Sequence, residues 1–270
     1  MTPLFDTYLH LFSITFLFAT LCFVISVWRK RNDIADVAWG MGFVLVSVVS
    51  FLQQPLRFDR GFLATALVTL WAVRLSAHIY SRNRKRSEDY RYKAWREAWG
   101  KTFYWRSFLQ VYLLQGCLML CVVSPVIIIN VFRGGTLTIV DSLGVLIWLT
   151  GFIFETVGDW QLHRFSQNPA NTGKIIQSGL WRYSRHPNYF GEVTQWWGLW
   201  VITLSVPFGF WGLLGPATIT FLILKVSGIP MLEKKYEQHP EFLNYKQMTN
   251  AFFPWWPKKK ISIHQIGNLD

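Results

Sequence analysis

Asn188, Glu192 and Gln195 stand four and then three residues apart, a spacing that lines them up on one helix face. An amide and a carboxylate on one stripe can together accept from and donate to a carboxamide, or hold an amine. Pro187 precedes them and suits the first residue of a helix, where its missing N–H costs nothing. The next backbone N–H groups are then free. With Arg182 and Arg185 alongside, that helix start suits a phosphate or pyrophosphate. Gly179 allows the turn that leads in. The competing reading is a basic interfacial loop followed by a polar helix–helix contact.

Other polar groups sit inside apolar runs, where each costs roughly 2.5–3.5 kcal/mol on insertion scales and so asks for a reason. Glu155, Asp159 and His163 recur every four residues, and read as one polar face capping a cavity that opens to the cytosol. A metal there would need further ligands from elsewhere in the chain. Arg74, His78 and Arg82 share another face, with Tyr80 off it. Arg82 can snorkel to the interface, whereas Arg74 lies deeper and asks for a carboxylate or an aqueous cavity. Asp33 and Asp36 open a helix whose dipole they complement, or Asp36 faces a substrate cavity. Gly40 and Gly42 let a helix or a flat ligand come close. The run with Glu88, Asp89, Tyr90 and Tyr92 reads as an interfacial amphipathic segment. Tyr245 either closes over a cofactor or anchors the chain at the interface.

The elements that position these groups are membrane helices. Of the 270 residues, 51% are hydrophobic and 17% aromatic. Run length is the sharper criterion, because about 20 apolar residues cross a hydrocarbon core. The runs Leu4–Trp28, Val37–Leu52, Gly61–Tyr80, Ser107–Val131, Leu143–Asp159, Val193–Leu204 and Phe208–Leu224 predict an all-α integral membrane protein of about seven transmembrane helices. On that arrangement 22 of the 27 Lys and Arg fall on one side and three (Arg57, Arg60 and Arg133) on the other. The positive-inside rule then puts the N-terminus outside and the C-terminus in the cytosol.

The net charge of +12 therefore reads as a topology signal and an attraction to anionic membrane lipids, and not as a nucleic-acid surface. The first apolar run is too long for a signal peptide, and its basic residues follow it. Three cysteines in apolar runs provide neither a disulfide framework nor a CxxC site. We expect one multi-pass domain over 1–270. Residues 1–140 form its substrate side, 141–257 its cofactor-binding part and 258–270 a basic cytosolic tail. The expected location is a plasma or inner membrane in a bacterium, or the endoplasmic reticulum in a eukaryote.

The stretch GLWRYSRHPNYFGE, from Gly179 to Glu192, resembles the C-terminal region of the steroid 5-alpha-reductase superfamily. It is most similar to a branch described as a domain of unknown function. The segments DVAWGMGF, RLSAHIYSR and EDYRY look like the same branch, so the resemblance covers about residues 30 to 257. It implies that Asn188-Tyr189-Phe190-Gly191-Glu192 opens a membrane helix and holds the nicotinamide end of NADPH. It also matches Asp159 and Leu162 to an upstream aspartate and leucine. With Arg182 and Arg185 placed for the phosphates, His186 and Tyr245 are expected beside the cofactor as well. Where those reductases carry His-x-x-x-Tyr near the C-terminus, this chain has Leu232-x-x-x-Tyr236. A similar Arg-His-Pro-x-Tyr motif opens the cofactor pocket of isoprenylcysteine carboxyl methyltransferases, which use S-adenosylmethionine.

The resulting expectation is an NADPH-dependent reductase of a lipid-like or steroid-like enone. Tyr80 or His78, assisted by Asp36, would act as the acid near the carbonyl. The alternatives are an S-adenosylmethionine-dependent lipid methyltransferase, in which Glu192 holds an amino group, and a non-catalytic lipid-binding protein. The chain has no GxGxxG after a strand, no Walker loop and no GxSxG, so any NADPH site is a membrane-helix pocket.

Overall fold

The computed structural model describes residues 2–55, 59–84, 86–132 and 134–258. Arg57, Arg133 and the basic tail from residue 259 onward lie outside the described residues. Among the described residues all regular structure is helical. The helices long and apolar enough to cross a membrane are Pro3–Arg29, Ile34–Leu52, Arg60–Asn83, Tyr90–Val122, Ile139–Gln167 and Gly209–Lys235.

That makes six such helices among the described residues, where the apolar runs predict seven. The run Val193–Leu204 falls, up to Thr203, in the helix Pro187–Thr203, whose 17 residues stand at the short end of what crosses a bilayer. The run Ser107–Val131 is broken by a turn at Val123, beyond which Ser124–Phe132 starts afresh. Pro125 explains the break, since it has no N–H for the preceding turn.

We number the helices α1 (Thr2–Arg29), α2 (Ile34–Leu52), α3 (Arg60–Asn83), α4 (Tyr90–Trp99), α5 (Phe103–Ser107), α6 (Leu114–Val122), α7 (Ser124–Phe132), α8 (Ile139–Gln167), α9 (Pro187–Thr203), α10 (Leu214–Phe221), α11 (Ile229–Lys235) and α12 (Pro240–Met248). The chain forms two compact units. The first comprises Met1–Val145 and Leu199–Thr218, the second Leu146–Gly198 and Ile219–Asp270.

In the first unit α2 packs most extensively on α3. Gly40 makes that approach possible: a Cβ there would lie 2.2 Å from Ser76 Oγ and 2.8 Å from the Ala72 carbonyl oxygen. Ser76 Oγ donates to the Val37 carbonyl at 3.2 Å. Phe43 and Trp71 meet edge to face at 5.2 Å in the buried seam. Phe5, Leu9, Leu17 and Leu21 of α1 remain exposed, an outer surface suited to acyl chains. The first turn of α3 is capped by the Asp59 carboxylate, which accepts from the Gly61 and Phe62 N–H groups. Arg60 is buried and grips Asp141 with Nε at 2.6 Å and Nη2 at 2.8 Å. It also donates to the Gly134 and Thr136 carbonyls, so the charge and most of its donors are satisfied.

In the second unit the Leu146–Gln167 part of α8 and the Pro187–Gly198 part of α9 touch backbone to backbone. A Cβ on Gly191 would lie 2.4 Å from the Glu155 nitrogen and 2.5 Å from the Gly151 oxygen. Only small residues permit such contact.

Candidate functional site

The second unit holds the chemistry-bearing residues of the Gly179–Glu192 stretch. Gly179 takes a φ of +62°, the left-handed conformation that favours glycine. The turn lets the Leu180 N–H donate to Gln161 Oε1 at 2.9 Å and Trp181 Nε1 donate to the Gly158 carbonyl at 3.1 Å. The loop is thereby pinned to α8. Pro187 begins α9, as its ring geometry favours.

Two carboxylate–amide pairs then cross the α8–α9 seam. Asn188 Nδ2 donates to Asp159 Oδ1 at 3.1 Å. Seven residues further along α9 and four back along α8, Gln195 Nε2 donates to Glu155 Oε2 at 2.5 Å. Glu155 and Gln195 are buried. Each stripe found along the sequence thus meets the other, α8 supplying the carboxylates and α9 the amides. Both amide nitrogens are committed. The buried oxygens Asn188 Oδ1 and Gln195 Oε1 have no hydrogen-bond partner among the described residues. His163, the third member of the α8 stripe, is exposed, and Glu192 is half-buried between the two α9 amides in sequence.

The two arginines part company. Arg182 is exposed, with its guanidinium 6.0 Å from the Tyr183 ring. Arg185 is buried. Its Nε and Nη2 meet Glu233 Oε1 at 2.8 and 2.7 Å, and its Nη1 donates to the Thr249 and Lys246 carbonyls. A guanidinium so committed is a tie within the unit, and Arg182 is the cation of the pair that faces outward. His186 Nε2 also approaches Glu233 Oε1, at 3.2 Å. Its ring stacks on Tyr189, with centroids 5.5 Å apart. Lys246 Nζ reaches the other Glu233 oxygen at 3.4 Å. The Tyr245 hydroxyl donates to the Trp181 and Ser184 carbonyls. Burial pushes that phenol up from its ordinary pKa, Arg185 offsetting part of the effect. Tyr245 is therefore turned inward as a fastener of the loop.

A strap after α12 completes the support. The Arg185 N–H donates to the Asn250 carbonyl and the Trp255 N–H to the Tyr183 carbonyl, each at 2.9 Å. Ser184 Oγ donates to the Phe252 carbonyl at 2.8 Å.

Asp36, His78 and Tyr80 lie in the first unit. Asp36 accepts from Tyr92 OH at 2.6 Å and from Arg91 Nη2 at 2.8 Å. Asp89 caps α4 and binds the Arg91 guanidinium as well. Burial pushes the Asp89 carboxyl up, but bonds from the Arg91 side chain and backbone outweigh it and hold the group below its ordinary value. His78 is half-buried on α3, and Tyr80 is 59% exposed.

The sequence profile described as Protein of unknown function (DUF1295) matches residues 22–249. The chain belongs to this family. A protein from Schizosaccharomyces pombe described as uncharacterized is 22% identical over 277 residues, covering 89% of this chain and 78% of that protein. Human 3-oxo-5-alpha-steroid 4-dehydrogenase 1 is 30% identical over 106 residues, 37% of this chain and 38% of that protein. Its rat counterpart is 28% identical over 115 residues, 42% and 40% of the respective chains. The DUF1295 chain thus spans about two fifths of the length of these two dehydrogenases. No solved structure matches it.

Sequence patterns marked most of the DUF1295 polar groups but left two pairings unread. Glu233, the common partner of Arg185 and His186, lies 48 and 47 residues from them. Its signal is a carboxylate that becomes buried beside two lysines. Tyr92 and Arg91, the partners of Asp36, sit in a run that reads equally well as interfacial.

Proposed function

We propose that this protein is a membrane-embedded, NADPH-dependent reductase. Its substrate would be a lipid-like or steroid-like enone, reduced at the carbon–carbon double bond next to the carbonyl. Kinship with steroid dehydrogenases supports the reaction class. One observation carries the cofactor assignment. Asn188 Oδ1 and Gln195 Oε1 are buried acceptors with no donor among the described residues, and a nicotinamide carboxamide offers an N–H₂ group. Buried acceptors of this kind are costly until satisfied.

NADPH, when bound, supplies the hydride for the β carbon. Asp159 holds the Asn188 amide with its oxygen turned away from the carboxylate. Glu155 does the same for Gln195. Glu192 completes the polar stripe toward the carboxamide. Arg182 meets phosphate charge from the exposed side. Arg185, His186 and Tyr245 keep the loop in register, and Tyr189 stacks on His186. The acid near the carbonyl is Tyr80 or His78, with Asp36 assisting. On this reading residues 1–140 serve the substrate and 141–257 the cofactor. The basic side faces the cytosol, from which the cofactor comes.

The test is thermal stability of the detergent-purified protein with NADPH, NADP+, NADH, S-adenosylmethionine or S-adenosylhomocysteine. A ligand of the native state stabilises by about 2.7 kcal/mol at a hundredfold excess over its Kd. A response to NADPH and NADP+ supports the reductase. A response confined to S-adenosylmethionine and its product would overturn it in favour of a methyltransferase. Silence toward all five would count against both enzymes and favour a non-catalytic lipid binder.

A further inference from the structure

Within the first unit, a small cleft opens where α1 ends, lined in part by Ser26, Lys30, Asn32, Arg96, Phe103 and Tyr104. Asn32 is 2% exposed. Its Oδ1 accepts from Ser107 Oγ at 2.9 Å and lies 3.5 Å from Ser26 Oγ. Its Nδ2 is buried with no acceptor among the described residues. A buried N–H₂ group without an acceptor is costly to keep, and here it belongs to a residue lining a cleft.

Two cations line the same cleft. Lys30 takes a φ of +54° as the left-handed residue that ends α1, its N–H donating to the Val27 carbonyl and the Arg31 N–H to the Ser26 carbonyl. Arg96 directs Nε and Nη2 at Glu88, while its guanidinium lies 4.1 Å from the Phe103 ring centre. Glu88 Oε1 also accepts the Asn32 backbone N–H at 2.6 Å. Lys30 and Arg96 against Glu88 leave one positive charge at the cleft. Exposed aromatics mark its level. Trp28 carries the Arg29 guanidinium at 4.9 Å, and Trp105 lies 5.8 Å from that of Arg106. Trp beside Arg at a helix end is the signature of headgroup depth.

We propose that this cleft binds a phosphate group, that of an anionic phospholipid headgroup. The Asn32 N–H₂, the Lys30 ammonium and the Arg96 guanidinium supply donors and charge for the phosphate oxygens, and Phe103 and Tyr104 flank the glycerol. Basic pockets between helices on the cytosolic side are where acidic headgroups bind, and this end carries the basic excess.

Native mass spectrometry of the purified, delipidated protein tests the proposal. Dioleoylphosphatidylglycerol, dioleoylphosphatidylcholine and sn-glycerol 3-phosphate are titrated separately, and melting temperatures confirm folding. The expected result is one phosphatidylglycerol held in preference to phosphatidylcholine. Lys30→Gln should weaken it about fivefold, Lys30→Arg should restore it, and Lys174→Gln, an exposed lysine that does not line the cleft, should leave it unchanged. Equal retention of the two lipids, or equal losses in Lys30→Gln and Lys174→Gln, would overturn the proposal. Lys30-dependent binding of sn-glycerol 3-phosphate as tight as that of phosphatidylglycerol would assign the cleft to a soluble phosphate and overturn the lipid as its source.

Discussion

Asn188 donates its amide nitrogen to Asp159 across 3.1 Å, tying the start of α9 to α8. The bond fixes which end of the amide is spent and which remains. If the remaining oxygen receives the nicotinamide carboxamide, Asn188→Ala should raise the NADPH Kd about tenfold while changing stability by only ~1 kcal/mol. Isothermal titration beside a melting curve separates the two. Asp159→Asn should weaken binding less, since an amide oxygen can still accept from Asn188.

Glu192→Gln should weaken NADPH binding without unfolding the protein, because the side chain is half-buried and keeps its shape. A folded variant with wild-type affinity would remove Glu192 from the cofactor site.

Arg182 and Arg185 should behave oppositely. Arg182→Ala removes an exposed cation, so NADPH affinity should fall and its salt dependence flatten at an unchanged melting temperature. Arg185→Ala leaves the buried Glu233 without its main partner. Breaking a buried pair costs about 3–5 kcal/mol, which a melting curve will show as a large drop.

Gly191→Ala places a methyl group 2.4 Å from the Glu155 nitrogen and 2.5 Å from the Gly151 oxygen. Backbone cannot yield as a flexible side chain can, so α8 and α9 must separate. Overpacking of this kind costs typically 1–3 kcal/mol. The melting temperature should fall, and NADPH affinity with it, as the amide–carboxylate pairs lengthen.

Asp89 sets an acid limit on the first unit. Its carboxyl titrates below the ordinary value in the folded chain, so its contribution is full above the unfolded pKa of about 4. That contribution is lost as pH falls through the lower folded value. Melting curves between about pH 6 and pH 3 should show this loss, and Asp89→Asn should flatten the acid limb.

Local patterns were legible wherever a residue's role depends on its own neighbours. Pro187 starts α9, and Gly179 adopts the left-handed turn. The stripes Glu155–Asp159 and Asn188–Gln195 follow from helical period alone. The apolar runs predict the all-helical membrane fold. The length of one span was less legible: the apolar run from Val193 ends with a helix of 17 residues, at the short end of membrane length, a limit set by Pro187 and the turn after Thr203.

By itself, then, the sequence determined an all-helical, membrane-length architecture, the charge bias of its loops and the groups that share each helix face. These depend on backbone period and on transfer of apolar groups from water, both local properties. Tertiary structure alone decided that the α8 carboxylates meet the α9 amides and that Gly191 brings those backbones together. It also decided that Arg185 turns inward to Glu233 while Arg182 stays outside. Such pairings join residues tens of positions apart, and helical period says which face a residue takes but not which helix comes to meet it.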